Sequence, residues 1–386
     1  LSLQPIDSQQ RIQNLDVIRG FSLLGIFIVN MIAFHSPLYY YDPYAWWGDS
    51  LNRQAYWWID VFVQASFYPI FAMMFGAGLA LQFVRAQQKD TRFSAFAMRR
   101  LGVLLVIGMV HAFLIWSGDI LITYAVTGFI LIWMLKMSGK MLLTLGFIIY
   151  FLPQALLAGI MFFAAMVDPT TVTYFSSVQD IESSVANYGS GSFGQIFSQR
   201  LEDWQYANDP EAFVSIVIAI LPLMMIGAGA AKLQLFQKAK EKKMLLSVLT
   251  VLFLGAGLAV KTSPYWGEQN LAFVLTQDYV GGPLVAMGYM TLLLLIMTAP
   301  VTAKLLQPLA KTGRMALTNY LLQSVIGTII FYNYGFGLYG EVTLATGTLI
   351  ALGIFIMQVI FSELWLSKFS QGPMEKLWRK LSYSRK

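Results

Sequence analysis

The chain has 386 residues, of which 57% are hydrophobic and 12% charged, and its mean hydropathy is +0.61. These values exclude an ordinary soluble domain and point to an integral membrane protein. The net charge of +6 is scattered over short loops with no compact basic domain, so no nucleic-acid partner is needed to explain it. The absence of cysteine excludes disulfides, thiolate catalysis and cysteine-ligated metals.

Apolar runs long enough to cross the hydrocarbon core as helix recur from end to end, whereas a β-barrel would need short alternating segments. The fold class expected is therefore all-α: a polytopic integral membrane protein of about ten transmembrane helices, forming a single domain over residues 1–386. Spans are expected near 15–35, 57–84, 95–116, 119–136, 141–166, 212–236, 243–261, 280–299, 314–336 and 342–366. The first run is too polar at its start for a signal-peptide core and lacks a small-residue cleavage site, so it is read as a retained span.

Basic residues collect in alternate connections. Arg85, Lys89, Arg92, Arg99 and Arg100 follow the second span; Lys136 and Lys140 the fourth; Lys238 to Lys243 the sixth; Lys304, Lys311 and Arg314 the eighth; and Lys368 to Lys386, with Arg385, close the chain. The other connections carry acids such as Asp42, Asp49, Asp168, Glu202 and Glu341. The positive-inside rule then puts the basic loops and both termini in the cytoplasm, in a bacterial cytoplasmic membrane with lipids as its first partners.

One connection, 167–211, is long enough to be structured outside the membrane. Its "GQIFSQRLEDW" has a helical apolar spacing at Ile196, Leu201 and Trp204, so a helical extracellular cap is expected there. A second outer loop, "HSPLYYYDPYAWWGDSLNRQAYWW", reads as an interfacial aromatic belt, with a sugar-stacking platform as the alternative. "MMFGAGLAL" at 73–81 and "MMIGAGAAK" at 224–232 resemble each other; a small-residue packing face is the simpler reading and a parallel repeat the other.

Ionisable groups are costly in hydrocarbon and are kept for partners or water-filled cavities. On the outer side the orientation gathers Asn30, Asp60, His111 and Asp119, with His35 at the rim. Imidazole accepts a proton near neutral pH, a neighbouring carboxylate fixes its tautomer, and Asn can hold an oxyanion. Such a set suits removal of a proton from an alcohol or amine that attacks an acyl carbonyl. The plain alternatives are helix capping for Asp119, in "SGDIL", and hydrogen bonding to a carbonyl or water for the histidines. On the inner side Asp16 and Arg19 share a helix face, and Arg314 begins the ninth span, followed inward by Asn319, Tyr320 and Gln323. Arginines suit bidentate phosphate binding, so Arg19 and Arg314 would hold a phosphorylated ligand; for Arg99 and Arg100 interfacial anchoring is the preferred reading. No Walker loop and no metal signature is present, so no metal is expected.

"NLDVIRGFSLLGIFIVNMIAF", "FGAGLAL", "HAFLIWSGDILITYAVTG", "GRMALTNYLLQS" and "SKFSQGPMEKLWRKL" together resemble the YeiB family of bacterial membrane proteins, from about Asn14 to Leu381. The opening "LD…RG" is also similar to heparan-α-glucosaminide N-acetyltransferase-like transmembrane acyltransferases. That second resemblance implies an acyl-CoA donor, such as acetyl-CoA, held from the cytoplasm, and a small-molecule or glycan acceptor approached from outside. It also implies a catalytic Asn at the end of the first span, which Asn30 matches, and a His in the following loop. His35 stands closer to the Asn than that pattern has it, and Tyr39 to Tyr41 occupy the position farther on. The YeiB-type pattern places its His where His111 stands, before the "GDIL" that contains Asp119.

The resulting expectation is a membrane-embedded acyltransferase, with His111 as base, Asp119 its orienter, and Asn30, His35 and Asp60 nearby. Arg19, Arg314, Asp16 and Asn319 would serve the donor. The rivals are a transporter or exporter of a small polar solute, with Pro69, Pro153, Pro222 and Pro283 breaking helices, and a non-catalytic lipid- or quinone-binding protein. Pairing as a homodimer is left open by the sequence.

Overall fold

The computed structural model describes residues 12–174 and 176–383; Arg385 and Lys386, read above as part of the basic tail, lie outside them. In chain order the main helices are α1 (Gln13–His35), α2 (Ser50–Phe62), α3 (Tyr68–Gln88), α4 (Phe93–Val110), α5 (Leu121–Met134), α6 (Gly139–Val167), α7 (Val178–Gly189), α8 (Phe193–Ala207), α9 (Pro210–Lys232) and α10 (Lys243–Lys261). Then follow α11 (Leu271–Ile296), α12 (Gln307–Arg314), α13 (Ala316–Phe331), α14 (Leu344–Lys368) and α15 (Pro373–Ser382).

Among the described residues, eight helices are long and apolar enough to cross a membrane: α1, α3, α4 with its continuation to Ile115, α6, α9, α10, α11 and α14. The protein is thus an all-α multi-pass membrane protein. α5 and α13 are shorter apolar helices. Both are largely buried; α13 carries Ser324, and α5 begins two residues after Asp119. The outermost helices expose apolar side chains, Phe163 and Met166 on α6 and Met244 and Val251 on α10, as surfaces that face lipid do.

The expected second span, 57–84, is two helices. α2 ends at Phe62 and α3 starts at Tyr68, with Ala65 between them at φ 56°. The turn is held from outside, because Gly282 of α11 comes so close that a Cβ there would lie 2.5 Å from the Ala65 carbonyl oxygen. The prolines do not break helices. α6 runs through Pro153 and α9 through Pro222; Pro69 sits in the first turn of α3, where the missing N–H costs no hydrogen bond, and Pro283 lies within α11 directly after its π-helical turn. The interruptions are instead two π-helical turns, His111–Ile115 and Gln277–Gly281.

Glycines set the close crossings. A Cβ on Gly76 would lie 2.0 Å from the Met224 carbonyl oxygen and one on Gly227 would lie 1.8 Å from that of Met73, so the two similar motifs are a reciprocal packing seam between α3 and α9. The segment 167–211 carries two helices, α7 and α8, in line with the helical spacing read there. Ser192 and Gln195 form a capping box at the start of α8, and Ile196 is buried.

Candidate functional site

Gly108 brings the two halves of the site together. A Cβ there would stand 2.8 Å from the Ile122 nitrogen, so α4 touches the start of α5. One turn later the π-helical turn opens at His111, a distortion that is frequent at functional sites. The imidazole lies between two partners. Its Nδ1 is 2.7 Å from Asp119 Oδ1 and its Nε2 is 2.8 Å from Ser324 Oγ of α13. Asp119 Oδ2 also accepts from the Ile122 N–H at 2.8 Å, so the carboxylate supports the first turn of α5 while it orients the histidine. All three side chains are buried, His111 completely.

Next to this group lies a cavity of about 310 Å³. Its inner wall is apolar, with Met74, Leu104, Ile120, Leu121 and Tyr124, and Tyr320 stands between it and His111, ring centroid to centroid 5.1 Å. The opposite end carries five arginines, Arg19, Arg85, Arg100, Arg314 and Arg379, with Asp16 and Glu375. Packing again explains the placement: a Cβ on Gly313 would lie 1.9 Å from the Asp16 carbonyl oxygen, so α12 rests on α1 and sets Arg314 at the same mouth as Arg19. Arg19 pairs with Asp16 at 3.2 Å and Arg314 donates to the Ser370 carbonyl at 3.2 Å.

The C-terminal helix α15 forms one wall of that mouth. Glu375 accepts from the Leu317 and Thr318 N–H groups at 2.8 and 3.1 Å and from the Thr318 hydroxyl at 2.5 Å, capping α13 from another element. Burial outweighs these bonds and holds the Glu375 carboxyl above the usual carboxylate range. Trp378 donates to the Arg100 carbonyl at 2.9 Å, and the Arg100 guanidinium sits 3.5 Å above its ring.

A second, water-sized cavity of about 10 Å³ is lined by Ser36, Tyr39, Tyr40, Trp116, Ser117 and Asp203. Trp116 and Ser117 face it while Ile120 and Leu121 face the large cavity, so the short 116–121 segment is the partition. Asp203 accepts from Tyr40, Tyr188 and Gln199, and burial pushes its carboxyl up against those donors.

The expected residues divide by location. His111 and Asp119 meet; Asp16, Arg19 and Arg314 line the large cavity. Asn30 is half-buried on α1 and lines neither cavity. His35 is fully buried beside Trp47 and Phe331, its ring nitrogens meeting no hydrogen-bond partner among the described residues. Asp60 belongs to a separate cluster. Its Oδ2 accepts from Gln277, Tyr265 and Tyr44 at 2.6, 2.7 and 3.2 Å, beside Lys261, which donates to the Gln64 carbonyl at 3.0 Å and to Asp278 at 3.1 Å. Asn319 ties helices together through the Thr312 carbonyl and Ser362. Ser324 was missed by sequence reasoning; its signal is its place one turn after Tyr320 on the same helix face.

A family model described as "Protein of unknown function (DUF418)" matches residues 230–385. The uncharacterized protein YeiB of Escherichia coli (strain K12) is 29% identical over 389 residues, covering 97% of this chain and 96% of its own. The uncharacterized protein YxaH of Bacillus subtilis (strain 168) is 32% identical over 398 residues, covering 99% of this chain and 96% of its own. The chain belongs to the YeiB/DUF418 family. A further relative, an uncharacterized 39.9 kDa protein in the amylase 3′ region of Bacillus acidopullulyticus, is 28% identical over 402 residues, covering 100% of this chain and 97% of its own. The DUF418 segment contains Arg314, Ser324 and α15, whereas Arg19, Arg85, Arg100, His111 and Asp119 lie before it.

Proposed function

We propose that the chain is a membrane-embedded acyltransferase that takes an acyl group from a phosphorylated donor of the acyl-CoA type and passes it to a hydroxyl- or amine-bearing acceptor. The observation that carries this reading is His111, held between Asp119 and Ser324 one ring behind a cavity whose far end bears five arginines. Arginines bind phosphate through paired N–H donors, and the apolar interior suits a pantetheine arm or acyl chain. The His–Asp pair supplies a base whose protonated form the carboxylate stabilises. In this reading the basic loops and both termini are cytoplasmic in a bacterial cytoplasmic membrane, and α5 and α13 complete ten spans. Residues 167–211 form an extracellular loop of the single domain. The donor then enters from the cytoplasm, and the acceptor, a small molecule or glycan, approaches past the Asp203 side. The test is label transfer from radiolabelled acetyl-CoA to a membrane glycan and lipid extract by purified protein in liposomes. Transfer by wild type and its loss in His111→Gln are expected; equal transfer by both would reject the assignment.

A transport reading has one observation in its favour: the break at Ala65 presents the Gln64 carbonyl to a buried ammonium flanked by Asp60 and Asp278. Solute flux with no acyl donor, abolished by Lys261→Met, would favour it.

A further inference from the structure

The contacts of His111 restrict what it can deprotonate. An ionised carboxylate only accepts, so beside Asp119 the neutral imidazole carries its proton on Nδ1, and its Nε2 then accepts from the Ser324 hydroxyl. A substrate hydroxyl arriving from either cavity finds Nε2 occupied. The proton within reach of the base is that of Ser324.

We propose that Ser324 is a nucleophile, acylated by the donor and deacylated by the acceptor. The inference rests on the acyl-transfer reading of the same site. In the first half-reaction Ser324 Oγ bonds to the thioester carbonyl carbon as His111 Nε2 takes the hydroxyl proton. The C–S bond then breaks, and the leaving sulfur receives that proton. In the second half-reaction the acceptor gives its proton to Nε2 and attacks the acyl-serine; the C–O bond breaks and Ser324 recovers the proton. No co-reactant is consumed, and Asp119 holds the imidazolium in both halves.

Two steps suit a site split by a partition. The donor enters the large cavity, the void across residues 116–121 being only water-sized, and the acyl group alone stays behind on Ser324 when the donor leaves. Tyr320 must turn aside for the donor to reach Ser324. Its hydroxyl meets the Gly118 carbonyl at 3.4 Å and the Ile120 backbone N–H, so turning aside breaks both of these contacts with the 116–121 segment.

The experiment uses p-nitrophenyl acetate, a small activated ester that needs no donor recognition, on the purified chain in nanodiscs. Acetylated peptides are mapped by mass, and coenzyme A binding is measured beside it. Acetylation of Ser324 is expected, at least about 100-fold slower in His111→Gln and absent at that position in Ser324→Ala. Ser324→Cys, the one thiol in a chain without cysteine, is expected to take the acetyl group again. Ser324 acetylation no faster in wild type than in His111→Gln, or wild-type transfer from acetyl-CoA by Ser324→Ala, would overturn the proposal. Acetylation of Ser324 in protein that does not bind coenzyme A would uphold the nucleophile and reject the donor; binding without acetylation would do the reverse.

Discussion

Two buried polar groups sit at the π-helical turns His111–Ile115 and Gln277–Gly281, and they are built for different ends. At His111–Ile115 the chain of Asp119, His111 and Ser324 terminates in a hydroxyl, with Tyr320 between the group and the large cavity. At Gln277–Gly281 the chain closes on itself: three donors converge on Asp60 Oδ2, and Lys261 bridges Asp278 and the Gln64 carbonyl. A closed ionic network specifies packing and is costly to break, whereas an open one has a group left for chemistry.

Substitutions separate the two. The largest effect is expected for His111→Gln, which keeps a hydrogen-bonding side chain but removes the base: transfer falls by about 10²–10⁴-fold while the melting temperature stays close to wild type. Lys261→Met should do the opposite, lowering stability by about 1–3 kcal/mol by removing a charged hydrogen-bond donor from the partly exposed Asp278 and from the Gln64 carbonyl, with transfer per folded molecule retained. Equal loss of transfer in both variants would erase the distinction drawn here. Gly108→Ala is expected to cost about 1–3 kcal/mol by overpacking and to lower transfer as well, since it separates α4 from the Leu121–Ile122 backbone. The smallest effect belongs to Glu375→Gln. Because burial raises the Glu375 pKa above its unfolded value, its stabilising contribution is present below the unfolded pKa, near 4.5, and is lost as pH rises through the folded pKa. The wild type should therefore lose stability relative to Glu375→Gln as the pH of a melting series is raised from 4.5; a constant difference would contradict this.

Much of the first group was legible. His111 and Asp119 stand eight residues apart across a connection too short to carry them away from each other, and Arg19 and Arg314 fall on the same end of the spans. Ser324 was not, because a serine in an apolar helix most often bonds back to its own helix, and the Oγ contact to the Tyr320 carbonyl at 3.5 Å is a remnant of that habit. The second group was hidden by backbone geometry. The left-handed turn is made by an alanine, where glycine or asparagine would have given a signal, so α2 and α3 read as one span and Asp60 was grouped with His111. Lys261 ends an apolar run like an interfacial anchor, yet it is fully buried. Glu375 was legible as part of a motif, but its role in capping a distant helix exists only in tertiary structure.

The central claim is that the arginine-mouthed cavity receives a phosphorylated acyl donor. Calorimetric titration of acetyl-CoA into purified wild type and Arg314→Ala, each at low and high salt, tests it most directly. Saturable binding that weakens with salt and is about tenfold weaker in the variant at low salt is the predicted result. No binding to folded wild-type protein, or binding indifferent to both salt and Arg314, would contradict the account.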